Sequence, residues 1–255
     1  MVQCTTLDLC AQDTEMKEGA IMNEEGESIY DKIRRNNHYF EDFVTRSIYH
    51  SNAIEGSTLS YAETYAIVFN DNSMKVNALP RELYEAINLK YALDCVLKSL
   101  DNDITLDYVK DLGITINKNI SDISGFRTTA VFIRGVEHIP PNAYDVPRLL
   151  QELLYKFNNS ESEMFKALAE FHLGFERIHP FSDGNGRTGR LLITKELLRN
   201  GYPPLIIPIE RRGVYMKHLA EQNTEALAQL FRQAVDTEYE RMEKFGISLK
   251  RMDVF

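Results

Sequence analysis

The stretch His179-Pro-Phe-Ser-Asp-Gly-Asn-Gly-Arg-Thr-Gly-Arg190 decides how this chain is read. Pro180 stops a helix, because it lacks an N–H and its ring collides with the preceding turn. Upstream, Phe165, Leu168, His172 and Phe175 recur at helical spacing within 161–179. Downstream, Leu191, Thr194, Leu197 and Leu198 resume the period over 187–198. The quoted segment is therefore a glycine-rich turn between two helices. Gly184-Asn-Gly-Arg-Thr-Gly189 also fits the dinucleotide fingerprint GxGxxG, but that fingerprint follows a strand in a βαβ unit, and here a helix precedes it. A Walker A loop is excluded, since no lysine and Ser/Thr occupy the required places.

Working outward, the pattern is helical from Ile29 onward. Phe40, Phe43, Val44, Ser47, Ile48, Ser51 and Glu55 share one face, and Gly56 ends the helix. Residues 61–70, 80–100, 106–120, 146–157 and 213–244 carry further apolar stripes with few breakers. The fold class is all-α. The exception is 126–134, short and β-rich, which predicts a β-hairpin with 136–139 across the turn 135–141.

The 255 residues carry a net charge of -9, which argues against nucleic acid or anionic lipid as a partner, because either surface repels the chain at long range. Residues 1–28 hold seven acidic groups against Lys17, without sustained periodicity. They are expected to be a flexible acidic extension, with 29–255 as one domain. Cys4, Cys10 and Cys95 are odd in number and lack metal-ligand spacing, which fits a reducing compartment. No stretch has the apolar length of a membrane span and no secretory signal is evident, so a cytoplasmic protein is expected. Exposed helices allow a homodimer without demanding one.

The turn holds a base, a carboxylate, an amide and two arginines within twelve residues. Gly184 and Gly186 let backbone N–H groups approach an anion, and the new helix adds the positive end of its dipole. Arg187 and Arg190, three apart, can reach the same side of one pocket and suit a polyphosphate. Asp183 is a hard oxygen ligand of the kind that holds hydrated magnesium, and His179 on the opposite lip can accept a proton from a hydroxyl. His172, on an apolar face of the preceding helix, reads better as core packing.

At every fixed position the segment resembles the Fic-family signature HxFx[DE]GNGRxxR. The resemblance spans roughly residues 30–240, judged by motif order. It implies a protein adenylyltransferase of the Fic type, moving AMP from ATP to a Tyr, Ser or Thr hydroxyl of a target protein or of itself, with Mg2+. In that reading His179 is the general base and Asp183 the magnesium ligand. Gly184, Asn185 and Gly186 line the α- and β-phosphates, Arg187 binds the β-phosphate, Arg190 binds the γ-phosphate, and Phe181 is a buried anchor. The related Doc kinases depart from GNGR, so Arg187 favours AMP transfer over phosphorylation.

The predicted hairpin is similar to the Fic flap that docks an extended target, with Thr129 and Val131 as its contacts. Ser51-Asn-Ala-Ile-Glu55-Gly56 matches the family's inhibitory pattern [ST]xxxE[GN]. Independently, Glu55 continues the apolar face of its helix (about 38–55), where a carboxylate needs a cationic partner. The resemblance nominates Arg190, with Ser51 one turn earlier able to hydrogen-bond around the pair. Tyr215, Leu219 and Asn223 lie four apart on one face of 213–244, and Tyr215 and Asn223 are expected to contact the adenine. The alternatives are another nucleotide donor, AMP removal aided by Glu55, or a non-catalytic nucleotide-binding module.

Overall fold

The computed structural model describes residues 28–71, 75–121, 123–133 and 137–249. Among these are ten α-helices, two 3-10 turns and no strand. The extension 1–27 lies outside the described residues, and Ser28 caps the first helix. There its hydroxyl accepts from the Asp31 N–H while the Asp31 carboxylate accepts from the Ser28 N–H.

The helical pattern from Ile29 divides in two. Asn36, with ψ of 89°, separates α1 (Ile29–Arg35) from α2 (Asn37–Ile54), and its side chain accepts from the Tyr39 N–H. α3 (Tyr61–Phe69) starts on a Ser60–Glu63 capping box, and α4 (Pro80–Lys98) starts with proline in its first turn. α5 (Leu106–Asn117) ends three residues before the expected boundary, because Lys118 turns extended and Asn119 adopts φ of 60°. α6 (Val146–Asn158) follows a 3-10 turn. α7 (Met164–Ile178) begins only after Glu163, whose carboxylate accepts from the N–H groups of Phe165 and Lys166.

α8 (Asn185–Arg199) is the helix after the glycine turn, and α9 (Arg212–Glu221) and α10 (Thr224–Lys244) complete the chain. The expected continuous helix over 213–244 is corrected: Gln222 adopts φ of 54°, and Asn223 then caps α10 by accepting from the Ala226 N–H. Tyr215 and Asn223 consequently do not share a helix face.

Apolar burial places α7 and α8 at the centre. Phe171, Phe175, Leu191 and Leu192 join one cluster with α2, α4 and α5, while Phe165, Leu168, Ile193 and Leu197 join a second with α9 and α10. Both faces of each helix are covered, so the turn between them has little freedom to shift. α2 is bound to α10 by charge as well as packing. Arg46 donates to Glu238 at 2.7 and 2.6 Å, and the Tyr39 hydroxyl donates to the same carboxylate at 2.6 Å.

The expected β-hairpin is not seen among the described residues. Residues 126–133 and 137–141 form no strand, and the turn 134–136 lies outside the described residues. A side chain substitutes for a ladder: the Arg127 guanidinium donates to the carbonyls of Thr129 (3.0 Å) and Pro141 (2.5 Å) in the segment, and to His179 (2.8 Å) and Ile178 (3.3 Å) at the end of α7.

Candidate active site

The site is built where α7 ends and α8 begins. His179 caps α7 in the left-handed region, φ 51° and ψ 62°, which is strained for a residue with a Cβ. Its Nδ1 lies 3.3 Å from the Glu176 carbonyl, so Nδ1–H donates there and Nε2 keeps its lone pair. Burial, helped by the Arg127 charge, lowers the imidazole pKa below its ordinary value and keeps the ring neutral near pH 7.

Phe181 anchors the turn. Its ring is fully buried against Gly113 of α5, where any side chain at 113 would collide with it. The Asn185 amide accepts from the Phe181 N–H and donates to the Phe181 carbonyl, both at 2.9 Å. That side chain therefore closes the loop, and only the backbone of Asn185 is left for the phosphate role expected of it. Behind the loop, Asn117 donates to the Asp183 carbonyl at 3.1 Å and to Gly113 at 2.8 Å. Gly184 adopts φ of 78°, and α8 starts without a side-chain cap, leaving its positive end facing the site.

Around this terminus charges are paired. Asp183 accepts from the Gly184 N–H at 2.6 Å, from Arg187 at 3.2 Å, and from Arg81 of α4 through its other oxygen. Arg187 is buried and also lies 3.4 Å from Glu85, which Arg81 contacts at 2.9 Å. Nε and Nη1 of Arg187 have no hydrogen-bond partner, so this guanidinium has donors in reserve.

Arg190 is buried and points toward α2. Nη2 donates to Glu55 Oε1 at 2.7 Å and to the Ser51 carbonyl at 2.9 Å, and Nε donates to the Ser51 hydroxyl at 3.0 Å. Burial opposes its charge, yet the Glu55 carboxylate and the Tyr215 hydroxyl together outweigh burial and hold the Arg190 pKa above its ordinary value. Gly186 lies directly beneath: a side chain there would collide with Glu55 Oε1 and approach Arg190 Nη1 to 2.9 Å. The Glu55 carboxylate thus sits on the N-terminal turn of α8. Arg212 donates to the Ile54 carbonyl at 2.7 Å, so two arginines satisfy the last carbonyls of α2. Just beyond, Glu82 accepts from the Thr58 N–H at 2.5 Å and holds the chain that leaves Glu55.

The sequence-predicted residues divide by position. His179, Asp183, Gly184, Gly186, Arg187, Arg190, Ser51 and Glu55 converge on the α7–α8 turn through the contacts above. Tyr215 is fully buried, with its hydroxyl 2.6 Å from His172 Nε2 and 3.4 Å from Arg190 Nη1, so it reaches the site only through Arg190. His172 is a core histidine, as expected. Asn223 uses its amide oxygen as a helix cap. Thr129 is exposed and Val131 half-buried, whereas Phe132 is 81% and Ile139 71% exposed and present the larger apolar surfaces of that segment.

Sequence reasoning missed Arg81, Glu85, Asn117 and Glu176. Glu176 is legible afterwards as the residue one turn before His179. Its Oε2 lies 4.0 Å from His179 Nδ1, and its buried Oε1 has no hydrogen-bond partner.

Residues 103–197 match the model of the Fic/DOC family. The protein adenylyltransferase Fic of Drosophila melanogaster is 35% identical over 69% of this chain, and that of Aedes aegypti 34% over 69%. The chain spans only 37% and 36% of the length of these relatives. Among solved structures, a Fic family protein from Desulfovibrio desulfuricans G20 superposes with a TM-score of 0.68 at 25% identity, covering 84% of this chain and 69% of that one. Fic-1 from C. elegans gives 0.69 at 27% identity, covering 84% and 66%.

Proposed function

We propose, from the match of residues 103–197 to the Fic/DOC family and the likeness to Fic adenylyltransferases, that this chain is a protein adenylyltransferase, moving AMP from ATP to a hydroxyl of a protein target or of itself and restrained by Glu55. The observation that carries the reading is the placement of the Glu55 carboxylate on the N-terminal turn of α8, held by Arg190. A helix terminus already cradling one anion beside a buried arginine is suited to exchange that anion for a phosphate.

In the reaction, Nε2 of the neutral His179 takes the proton of the target hydroxyl. The hydroxyl oxygen then bonds to the α-phosphorus as the α–β bridging bond breaks, and pyrophosphate leaves. The α8 N-terminus and Arg187 balance charge on the departing phosphates, and Arg190 holds the γ-phosphate once Glu55 has released it. The segment that carries the exposed Phe132 and Ile139 presents the target.

Asp183 fits a magnesium ion. It is a hard carboxylate at the lip of the turn, its outer oxygen already faces a cation in Arg81, and magnesium takes its remaining ligands from phosphates and water. When bound, the ion supplies charge neutralisation on the phosphate oxygens. Among the described residues no group of three ligands forms a protein-only metal site. No described helix is long and apolar enough to cross a membrane, and the scattered cysteines support placing the protein in the cytoplasm.

The test is label transfer from ATP labelled at the α- or the γ-phosphate, with magnesium and cell extract, for wild type, Glu55→Gly and His179→Ala. Transfer of α-label alone, stronger in Glu55→Gly and absent in His179→Ala, is expected. Transfer of γ-label means a kinase. No label in any lane despite nucleotide binding means another donor or a binding module.

A further inference from the structure

Arg127 is 6% exposed, yet no carboxylate pairs with it among the described residues. Its charge is answered by four carbonyl oxygens on three pieces of chain: Ile178 and His179 at the end of α7, Thr129 just beyond Arg127 itself, and Pro141 on the far side of the exposed segment. Its own N–H donates to the Pro180 carbonyl at 2.9 Å. A guanidinium suits this place, because its planar fork carries five donors and the terminal carbonyls of a helix form a partial negative charge. The next carbonyl back, Arg177, lies 3.0 Å from His138 Nε2.

These contacts carry a geometric consequence. Among its described residues the segment forms no ladder to fix its register, so its attachment to the catalytic turn runs through Arg127, His138 and the Phe126 ring against Phe181. His179 sits in a strained left-handed conformation, and such strain persists only where surrounding contacts over-determine it. Arg127 binds the carbonyl of that residue and the N-terminal oxygen of the turn that follows.

We propose that Arg127 is a positioning residue for group transfer: it locks the His179 backbone and the 126–141 segment into one register, so that a protein segment docked there delivers its hydroxyl to the imidazole. This rests on the adenylyltransferase reading. The Arg127 guanidinium is spent on backbone carbonyls and acts through His179, so its loss changes turnover and the state of the imidazole and not the affinity for nucleotide. The Arg127 charge also helps keep the imidazole neutral, against Glu55 and Asp183, which favour the charged form, and beside Glu176 on the same helix.

The experiment compares Arg127→Met and Arg127→Lys in the Glu55→Gly background. It follows ATP affinity, transfer of α-label to the chain itself, and the His179 titration by NMR. A misplaced base costs on the order of 100-fold in turnover. That loss is expected for Arg127→Met at unchanged ATP affinity, with the His179 pKa moved up, and Arg127→Lys, which reaches fewer carbonyls, falls between. A folded Arg127→Met with the parent's turnover and titration overturns the proposal. If that variant does not fold, Arg127→Lys decides, and parental turnover in it is equally fatal. If the Glu55→Gly parent transfers no label, the functional reading fails on its own, while the His179 titration and the protease sensitivity of 126–141 still test the role of Arg127.

Discussion

The Glu55 carboxylate lies against Gly186 in the space a side chain at position 186 would take, and Arg190 holds it there at 2.7 Å. The proposed brake therefore sits on the helix terminus proposed to hold the phosphates. Removing it leaves Arg190 bound to the Ser51 hydroxyl, the Ser51 carbonyl and the Tyr215 hydroxyl. Glu55→Gly is expected to raise AMP transfer about tenfold or more, since the competent state no longer competes with the ion pair. The Glu55 side chain is 38% exposed, so the stability loss is about 1 kcal/mol or less. Gly186→Ala also expels the carboxylate, but its methyl group fills the phosphate space, and no activation is expected. Label transfer and urea unfolding of both variants check this, and equal activation by the two substitutions would contradict it.

Proton uptake by His179 carries its own signature. Burial lowers its pKa below the ordinary 6.5, so the neutral base persists to lower pH than a free imidazole would. In Glu55→Gly, transfer should rise with pH along an acid limb centred below 6.5 and stay level from about pH 7 to 8. His179→Ala should cost roughly 10²–10⁴-fold. A pH profile whose acid limb lies above 6.5 assigns the base to another group.

Glu176 makes stability depend on pH in the direction opposite to a paired carboxylate. Burial, then the nearby Glu55 charge, pushes its carboxyl from 4.5 up to about 7 against the pull of Arg190. Between those values the folded chain holds a proton that the unfolded chain has released, so stability falls as pH rises through the window and levels off above it. Glu176→Gln abolishes this slope. The Tm advantage of the variant should grow from about pH 5 to about pH 8, and a difference independent of pH would falsify the assignment.

The position of Glu55 depends on α2 being fixed to α10. Glu238 is 2% exposed and accepts three hydrogen bonds, two from Arg46 and one from Tyr39. Glu238→Ala leaves the Tyr39 hydroxyl and two nitrogens of a buried guanidinium without their acceptor, with Asp42 at 2.7 Å the carboxylate still paired to Arg46, and is expected to cost about 3 kcal/mol. Replacing Arg46 as well by Met should recover part of that loss. Denaturant unfolding of the single and double variants measures it, and a cost within that of a surface substitution sinks the anchoring role.

Much of the site was legible because its cues are local. Pro180, Gly184 and the flanking periods define helix, turn and helix, and Glu55 follows Ser51 by four residues on a buried face. The partners that complete the site lie far away in sequence: Arg81 meets Asp183 across 102 residues, and Glu85 reaches Arg187 from the same helix. Neither carries a local mark. No strand forms among the described residues of 126–141, because β-rich composition reports only a preference for extended backbone, and the carbonyls of Thr129 and Pro141 are taken by Arg127. The continuous helix through Asn223 failed because a left-handed residue at Gln222 resets the helical phase, and periodicity cannot show a break that leaves no proline or glycine behind.

By itself, then, the sequence determined the all-helical class, the α7–α8 turn, and the clustering of His179, Asp183, Arg187 and Arg190 on it. All of these follow from backbone stereochemistry and side-chain spacing within a few turns of helix. Only the tertiary structure decided that Glu55 rests on Gly186, that Asn185 turns inward, that Tyr215 braces Arg190, and that Arg127 ties the exposed segment to His179. Those pairings depend on which helices meet, and that is set by burial of apolar faces across the whole chain before any buried charge can choose its partner.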